Sequence, residues 1–384
     1  MIARIFFLYV LTLVPLQSLH STIQETNWLI VGAGPAGITA LAVLLDNHVP
    51  AQEITWVDPE FNAGRLPVYA NVPANVTVGD LVYYLGRSQT FEQTHSLTID
   101  MLKARDPEEF PKLGALAEPL IAITKDLRAR VNSIVGSLAT ITQHSNYWEI
   151  CLDTQHTLYA QHVILATGSR PKRLDYPCCQ IPLDEALDQP TLAKKLTPED
   201  IVAVVGSSHS AILILKYLSE IPVKKVVNFY QRDLIYATPM DGWTLHGHSG
   251  LEGETALWAK TVLEVTPPAN LVRIRSSHET LKDMLPTCTK VIYAIGYEAN
   301  DLPLINGTTP ITYDNTTGII APGLYGMGIA FPEKYIDPLG NVEYRVGVNA
   351  FMDFAQHIIP QWITGDVRRS RKEDKNNLPV VENY

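Results

Sequence analysis

The sequence predicts an α/β chain built from two copies of one strand–glycine turn–helix–strand unit. Three observations carry that prediction. A glycine turn, Gly32–Gly37, joins an apolar strand to an amphipathic helix, and a second turn of the same shape follows at an offset of 174 positions. Two later apolar strands, each ending in a small residue and a glycine, repeat at an offset of 128. Whole supersecondary units recurring at one spacing point to duplicated architecture.

The first unit begins with Trp28-Leu29-Ile30-Val31, which runs into Gly32-Ala33-Gly34-Pro35-Ala36-Gly37. Ile38, Leu41, Ala42 and Leu45 then recur at helical spacing. Gly32 permits the tight turn, Gly34 lets backbone approach a pyrophosphate, and Gly37 lets the helix pack closely on the strand. The helix start offers free N–H groups and a positive dipole end to an anion, so the turn through Pro35 and Ala36 is expected to bind phosphate. A second strand, Glu53–Val57, ends at Asp58, whose carboxylate can accept two hydrogen bonds from a ribose diol. Strand, turn, helix and acidic residue in register predict a three-layer, Rossmann-like dinucleotide-binding domain.

The second unit is Ile201-Val202-Ala203-Val204-Val205 followed by Gly206-Ser207-Ser208-His209-Ser210-Ala211. The common offset places Gly32 on Gly206, Gly34 on Ser208 and Gly37 on Ala211, with Ile38, Leu41 and Leu44 on Ile212, Leu215 and Leu218. It also places Asp58 on Arg232, just past the strand Lys225–Tyr230. Arginine there suits a 2′-phosphate and hence NADPH over NADH; a solvated side chain paired to Asp233 is the competing reading. His209, at the helix start, is placed either to touch a pyrophosphate or simply to begin the helix.

The late strands are Val163–Ala166 before Thr167-Gly168 and Val291–Ile295 before Gly296. A glycine at such a strand end allows close approach of a ligand to backbone. Before the first of them, Trp148–Leu152 and Thr157–Tyr159 alternate as antiparallel strands do.

Composition narrows the class. With 384 residues, 46% hydrophobic and 18% charged, the chain can bury a large core in two or three domains. A formal net charge of -10 argues against nucleic acid, which needs a concentrated basic surface. The four cysteines, Cys151, Cys178, Cys179 and Cys288, include no C-x-x-C pair for disulfide exchange or zinc. His246 and His248 lack a third ligand, so no metal site is expected.

The termini differ from the rest. Arg4 precedes an apolar stretch, Ile5–Val14, then Pro15 and a polar segment from His20. This reads as a secretory signal peptide over residues 1–21, with no membrane span after its removal. A buried N-terminal helix, leaving the protein cytoplasmic, or an uncleaved anchor are the competing readings. Three N-x-T sequons, at Asn75, Asn306 and Asn315, matter only in an exported chain. Residues 366–384 form a polar tail with Arg368, Arg369, Arg371 and Lys372.

These landmarks, in this order, resemble the flavoproteins with two dinucleotide-binding folds, the group of pyridine nucleotide-disulfide reductases and flavin-dependent monooxygenases. The resemblance implies FAD on the first unit and NADP on the second, with the NAD(P) domain inserted in the FAD domain. It implies an FAD-binding domain over 22–175 and 286–365 and an NAD(P)-binding domain over 176–285. It also implies that Arg65, in Phe61-Asn62-Ala63-Gly64-Arg65-Leu66, covers the pyrophosphate. Val346 and Gly347, before a helix running to Trp362, would meet the pyrimidine end of the flavin, where a dipole stabilises the reduced ring.

Three departures select the branch. The reductases' cysteine pair is missing, and Gly323–Ala330 replaces their terminal glycine–aspartate motif. The second turn is similar to the G-x-G-x-S-A turn of N-hydroxylating enzymes, although the F-x-G-x-x-x-H sequence of flavin monooxygenases is absent. The chain is therefore expected to pass hydride from NAD(P)H to FAD and electrons onward to oxygen or a small substrate. An NAD(P)H oxidase or reductase, or a non-catalytic flavin-binding protein, are the alternatives. No catalytic acid or base is identified.

Overall fold

The computed structural model describes residues 23–240, 243–245, 250–302, 305–307 and 312–365. The expected leader, the polar tail and the pair His246/His248 lie outside these residues. No helix among the described residues is long and apolar enough to cross a membrane.

The first sheet begins with β1 (Ile23–Val31), then β2 (Ile54–Asp58), β3 (Asn132–Val135), β4 (Leu138–Gln143), β5 (Trp148–Leu152) and β6 (Thr157–Leu165). β1 lies parallel between β6 and β2, and β3 pairs parallel with the far edge of β2. β5 pairs antiparallel with β4 and β6, as its alternation predicts. Between β1 and β2 runs the helix Pro35–Asp46, buried from Ala36 to Leu44. It is apolar all round because it is covered on both sides. The sheet lies beneath it, and the helices Gly114–Arg130 and Val348–Thr364 pack over it in one core. On the opposite face of the sheet, Ile141, Trp148, Ile150 and Leu152 of the meander close a second core over Leu29, Val31 and Val163. Helices, parallel sheet and meander are the three layers expected.

After β6 the chain crosses to the second sheet through β7 (Ser169–Pro171). That sheet holds β8 (Ile201–Val205) and β9 (Lys225–Tyr230) and, past the short hairpin β10 (Thr238–Met240) and β11 (Trp243–Leu245), β12 (Leu271–Arg275) and β13 (Lys290–Tyr293). Its order is β12-β9-β8-β13, all parallel, with the helix His209–Glu220 on one face. The chain returns through β14 (Tyr297–Ala299), antiparallel to β7, so one two-stranded strap carries both crossings. β15 (Ile319–Ala321) and β16 (Leu324–Gly326) then complete the first sheet beside β6. A hairpin of β17 (Glu333–Ile336) and β18 (Val342–Arg345) leads into the last helix.

One domain is thus inserted in the other. The return expected at residue 286 falls later on this topology, because β13 pairs with β8 and belongs to the inserted sheet.

Candidate functional site

The first turn is closed by steric necessity. Gly32 has φ +112°, and a Cβ there would lie 2.2 Å from the carbonyl oxygen of Ala166. A Cβ on Gly37 would lie 2.0 Å from the oxygen of Gly32. Gly34 is different: its nearest neighbour in the Cβ direction is the Cα of Gly64, at 3.9 Å. Open space there is what a ligand's close approach requires. Gly34 caps the helix without a side-chain bond, so the first N–H groups of Pro35–Asp46 are left for an anion. The segment Phe61–Leu66 folds over the turn, as expected: Gly64 has φ +63°, and a Cβ on it would meet Gly34 Cα at 2.8 Å.

Two residues expected at the cofactor also have protein partners. Asp58, only 9% exposed, accepts from the N–H of Ala33 at 2.7 Å on one carboxylate oxygen. Its other oxygen accepts from Glu60 and Phe61 N–H at 2.8 and 2.6 Å. Three of about four acceptor sites are thus taken by backbone, and Asp58 fastens both the turn and its covering loop. One acceptor site is left on Asp58 for a ribose hydroxyl. Arg65 does not reach over the turn. It pairs with Asp184 of the inserted domain and lies 5.9 Å from the ring of Tyr69, so it bridges the two domains.

The other landmarks lie at glycine turns with open polar groups. The hydroxyl oxygen of Thr167 is buried without a hydrogen-bond partner, and Gly168 has φ +74°. Asn300 donates to the carbonyl of Thr167 at 2.8 Å. The backbone after β16 passes close to the helix start, since a Cβ on Gly328 (φ +90°) would sit 2.6 Å from Ala36 Cβ. This contact was missed from sequence, where the glycines of Gly323–Ala330 are indistinguishable. Gly347 caps the last helix with φ +139° and no side-chain bond, next to an exposed Val346. In that first turn the Asn349 amide oxygen is buried and unpartnered. Uncapped helix starts, an open Gly34 and unpartnered polar atoms at Thr167 and Asn349 fit FAD.

The second turn repeats the first with altered chemistry. Gly206 has φ +131°, and a Cβ there would lie 2.2 Å from Ala294 O, as at Gly32. Ala211, fully buried, stands where Gly37 stands in the first turn. Ser208 is an exposed cap without a side-chain bond, and Ser210 is half-buried in the helix's first turn. Gly296 has φ +89° and nothing within 4 Å of its Cβ position.

The common offset fails at the second strand. Gly32 N bonds Val57 O, whereas Gly206 N bonds Phe229 O. The counterpart of Asp58 is therefore Tyr230, because the link from helix to strand is two residues shorter in this unit. Arg232 lies just beyond, and its carbonyl accepts from the Ser207 hydroxyl at 3.1 Å. Its exposed side chain makes no ion pair among the described residues, for Asp233 pairs with Arg275 at 3.1 Å. The expected alternative pairing of Arg232 with Asp233 is thus replaced. Arg275 stands over Tyr230, 5.9 Å from its ring centroid, and was missed because its strand is remote in sequence. The ring of His209 faces backbone: Glu252 N–H donates to its Nε2 at 3.1 Å, with Gly250 O at 3.1 Å. Burial lowers its pKa, so it seats the 250–252 loop as a neutral side chain.

Three comparisons extend this geometry. The family model described as pyridine nucleotide-disulphide oxidoreductase matches residues 26–321. The chain is 31% identical over 389 residues to Monooxygenase AgnR1 of Paecilomyces divaricatus, covering 88% of this chain and 98% of that one. Among solved structures, a flavin-containing monooxygenase from Stenotrophomonas maltophilia is similar with a TM-score of 0.59 at 13% identity, over 89% of this chain and 99% of that one. The bacillithiol disulfide reductase of Staphylococcus aureus is similar with a TM-score of 0.56 at 13% identity, over 90% and 100%. Two nested nucleotide folds with these turns make the chain an FAD- and NAD(P)H-dependent oxidoreductase, a member of the pyridine nucleotide-disulphide oxidoreductase family.

Proposed function

We propose that this chain is an NADPH-dependent flavin monooxygenase acting on a small molecule. The observation that carries the reading is a disulfide-reductase fold without a dithiol. The sequence has four cysteines and no C-x-x-C pair. Cys151 lies in the meander, while Cys178, Cys179 and Cys288 lie around the inserted sheet. Electrons reaching the flavin therefore have no protein disulfide to reduce. The relative at 31% identity is named a monooxygenase, in line with oxygen as the acceptor. FAD, when bound, supplies hydride acceptance and reaction with oxygen.

The chain's own residues bind and orient. The helix starts behind Gly34 and Gly347 have free N–H groups that would hold the anionic parts of FAD. Thr167 offers an unpartnered hydroxyl. On the second unit, Gly206, Ser207, Ser208 and Ser210 form the phosphate turn, and Gly296 leaves room at the strand end. No carboxylate occupies the position of Asp58, and the neighbouring Asp233 is paired to Arg275. Arg232, exposed and without an ion pair among the described residues, supplies the positive charge instead.

The test is anaerobic reduction of the FAD-loaded protein by NADPH and NADH, followed by aeration with candidate substrates. Bleaching by NADPH and oxygen transfer in step with NADPH use are expected. Stoichiometric hydrogen peroxide with every substrate would instead mark an oxidase, and a yellow protein that neither nucleotide bleaches would mark a binding protein. Arg232→Ala is expected to raise the KM for NADPH by roughly tenfold while sparing NADH. Equal effects on both would remove 2′-phosphate recognition. Export belongs to the same proposal: N-terminal sequencing of the secreted chain should start near residue 22.

A further inference from the structure

The two units solve one local problem with different side chains. A glycine turn at a strand end directs the first glycine's carbonyl back toward the sheet. That oxygen needs a donor, because no ladder bond reaches it. In the first unit the donor is the indole of Trp56, whose Nε1 lies 2.9 Å from Gly32 O. In the second, with the two-residue shift, the same position is Asn228. This residue is fully buried between the apolar Val227 and Phe229 of the strand Lys225–Tyr230. Its amide nitrogen donates to Gly206 O at 2.8 Å and to Val204 O at 3.1 Å.

An asparagine differs from a tryptophan in one respect. Its amide can invert, exchanging donor for acceptor. An inverted Asn228 would set an oxygen against two carbonyl oxygens and release the turn. Arg273 prevents this. It stands directly across from Asn228 in the β9–β12 register, and its Nε donates to Asn228 Oδ1 at 3.0 Å. A guanidinium has only donors, so it admits the amide in one orientation. Arg273 is costly to hold there. It packs 4.6 Å from the ring of Tyr230, one Nη is buried without a hydrogen-bond partner, and burial lowers its pKa. Leucine or valine would suit the strand better on packing grounds alone.

The consequence reaches the ligand side. The C=O of Gly206 and the N–H of Ser207 belong to one trans peptide and point in opposite directions. Holding the carbonyl toward the sheet aims the Ser207 N–H outward. The corresponding N–H in the first unit, that of Ala33, is occupied by Asp58. That of Ser207 meets no carboxylate, since Tyr230 occupies the position. We propose that Arg273 and Asn228 are a positioning pair for the nicotinamide nucleotide: Arg273 fixes the Asn228 amide, which fixes the Gly206–Ser207 peptide so that its N–H faces the tip of β9, where a 2′-phosphate would sit. The proposal rests on NADPH binding at the second turn.

Arg273→Met keeps the packed stem and removes the donor, and Arg273→Lys restores a donor to Asn228. The measurements are KM for NADPH, the limiting rate of anaerobic flavin reduction, FAD content, and a crystal structure of Arg273→Met. The expected result is a rise in KM of roughly tenfold in Arg273→Met, with the limiting rate changed less than about twofold. Arg273→Lys should recover most of the loss, and FAD content should match wild type, because the first turn is held by Trp56. Asn228→Asp, which places an oxygen against both carbonyls, should be at least as impaired as Arg273→Met. An unchanged KM in Arg273→Met overturns the pair, as does a loss of stability with no change in KM. A wild-type protein that NADPH does not reduce sinks the functional reading instead. The crystal structure then decides the pair: a reoriented Gly206–Ser207 peptide supports it, and an unmoved one overturns it.

Discussion

Gly37 and Ala211 occupy equivalent places on the two helices, yet only one of them has to be glycine. At Gly37 a methyl would sit 2.0 Å from Gly32 O, a distance no Cβ adopts, so Gly37→Ala must push the helix off the strand. We expect this variant to purify with its FAD content reduced at least tenfold and a stability loss of about 1–3 kcal/mol; full flavin occupancy would show that the turn can relax. The same scale holds a pH response. Burial lowers the pKa of His209 and of His162 from the ordinary 6.5. Both imidazoles are therefore neutral in the fold under conditions where the unfolded chain already takes up protons. Their contribution to stability is complete above pH 6.5 and is lost as pH falls below it. For His209 protonation also exchanges the bond from Glu252 N–H for one donated to Gly250 O, both 3.1 Å from Nε2. Melting temperatures measured from about pH 7 to 5.5 should thus fall more steeply for wild type than for His209→Asn; parallel curves would remove the loop seat from the account. The Gly32–Gly37 turn was legible because its chemistry is local: each glycine answers to an atom within a few residues or on the neighbouring strand. Asp58 was legible as a residue that matters but not in its role, because nothing in the chain order shows that Ala33, Glu60 and Phe61 all point at it.

Elements carry a different kind of information. Both parallel sheets, the antiparallel meander and the helix starts follow from patterns of period two and period 3.6, and those patterns were visible. The link between the helix His209–Glu220 and β9 is two residues shorter than its counterpart in the first unit, and a constant offset hides that. A constant offset matches Arg232 to Asp58, while the structure matches Tyr230. Asn228 lay in plain view as one amide inside Val-Val-Asn-Phe, and a buried polar side chain in a central strand is the one signal that flags such a site. The loop Phe61–Leu66 is an element whose position depends on a single residue. Gly64 adopts φ +63°, which alanine tolerates at a cost of about 1 kcal/mol, but its Cβ would press on Gly34 Cα at 2.8 Å. Gly64→Ala should lift the loop from the turn and weaken FAD binding roughly tenfold with little effect on the inserted domain. Titration of apoprotein with FAD measures this directly, and an unchanged affinity would mean that the loop does not cover the cofactor.

At the scale of the whole molecule, the two domains meet through a strap and a polar cluster. In the strap, Arg170 of β7 pairs with Glu298 of β14 at 2.8 Å and with Asp301 at 2.6 Å. The cluster brings Arg65 and Tyr69 of the first domain onto Asp184 of the second, with the Tyr297 hydroxyl 3.4 Å from that of Tyr69. Asn71 donates to Asp188 at 2.9 Å alongside. Sequence could not show these contacts, since they join residues more than a hundred positions apart through side chains common on any surface. Arg65 is 43% exposed, so its pair with Asp184 contributes on the order of 1 kcal/mol or less to global stability. Its larger effect is on the relative placement of the domains, because Asp184 is the shared acceptor of both Arg65 and Tyr69. Removing that acceptor leaves each domain's own core intact and frees the inserted domain to turn about the strap. Asp184→Ala should therefore lower the melting temperature by no more than about 2–4 °C while increasing the rate of proteolysis within β7 and β14. Raising salt should shift the wild type toward the variant, as screening weakens the exposed pair. A variant cleaved at the wild-type rate would show that the strap alone fixes the arrangement. Faster cleavage together with an unchanged melting temperature would assign the cluster to domain placement rather than to folding.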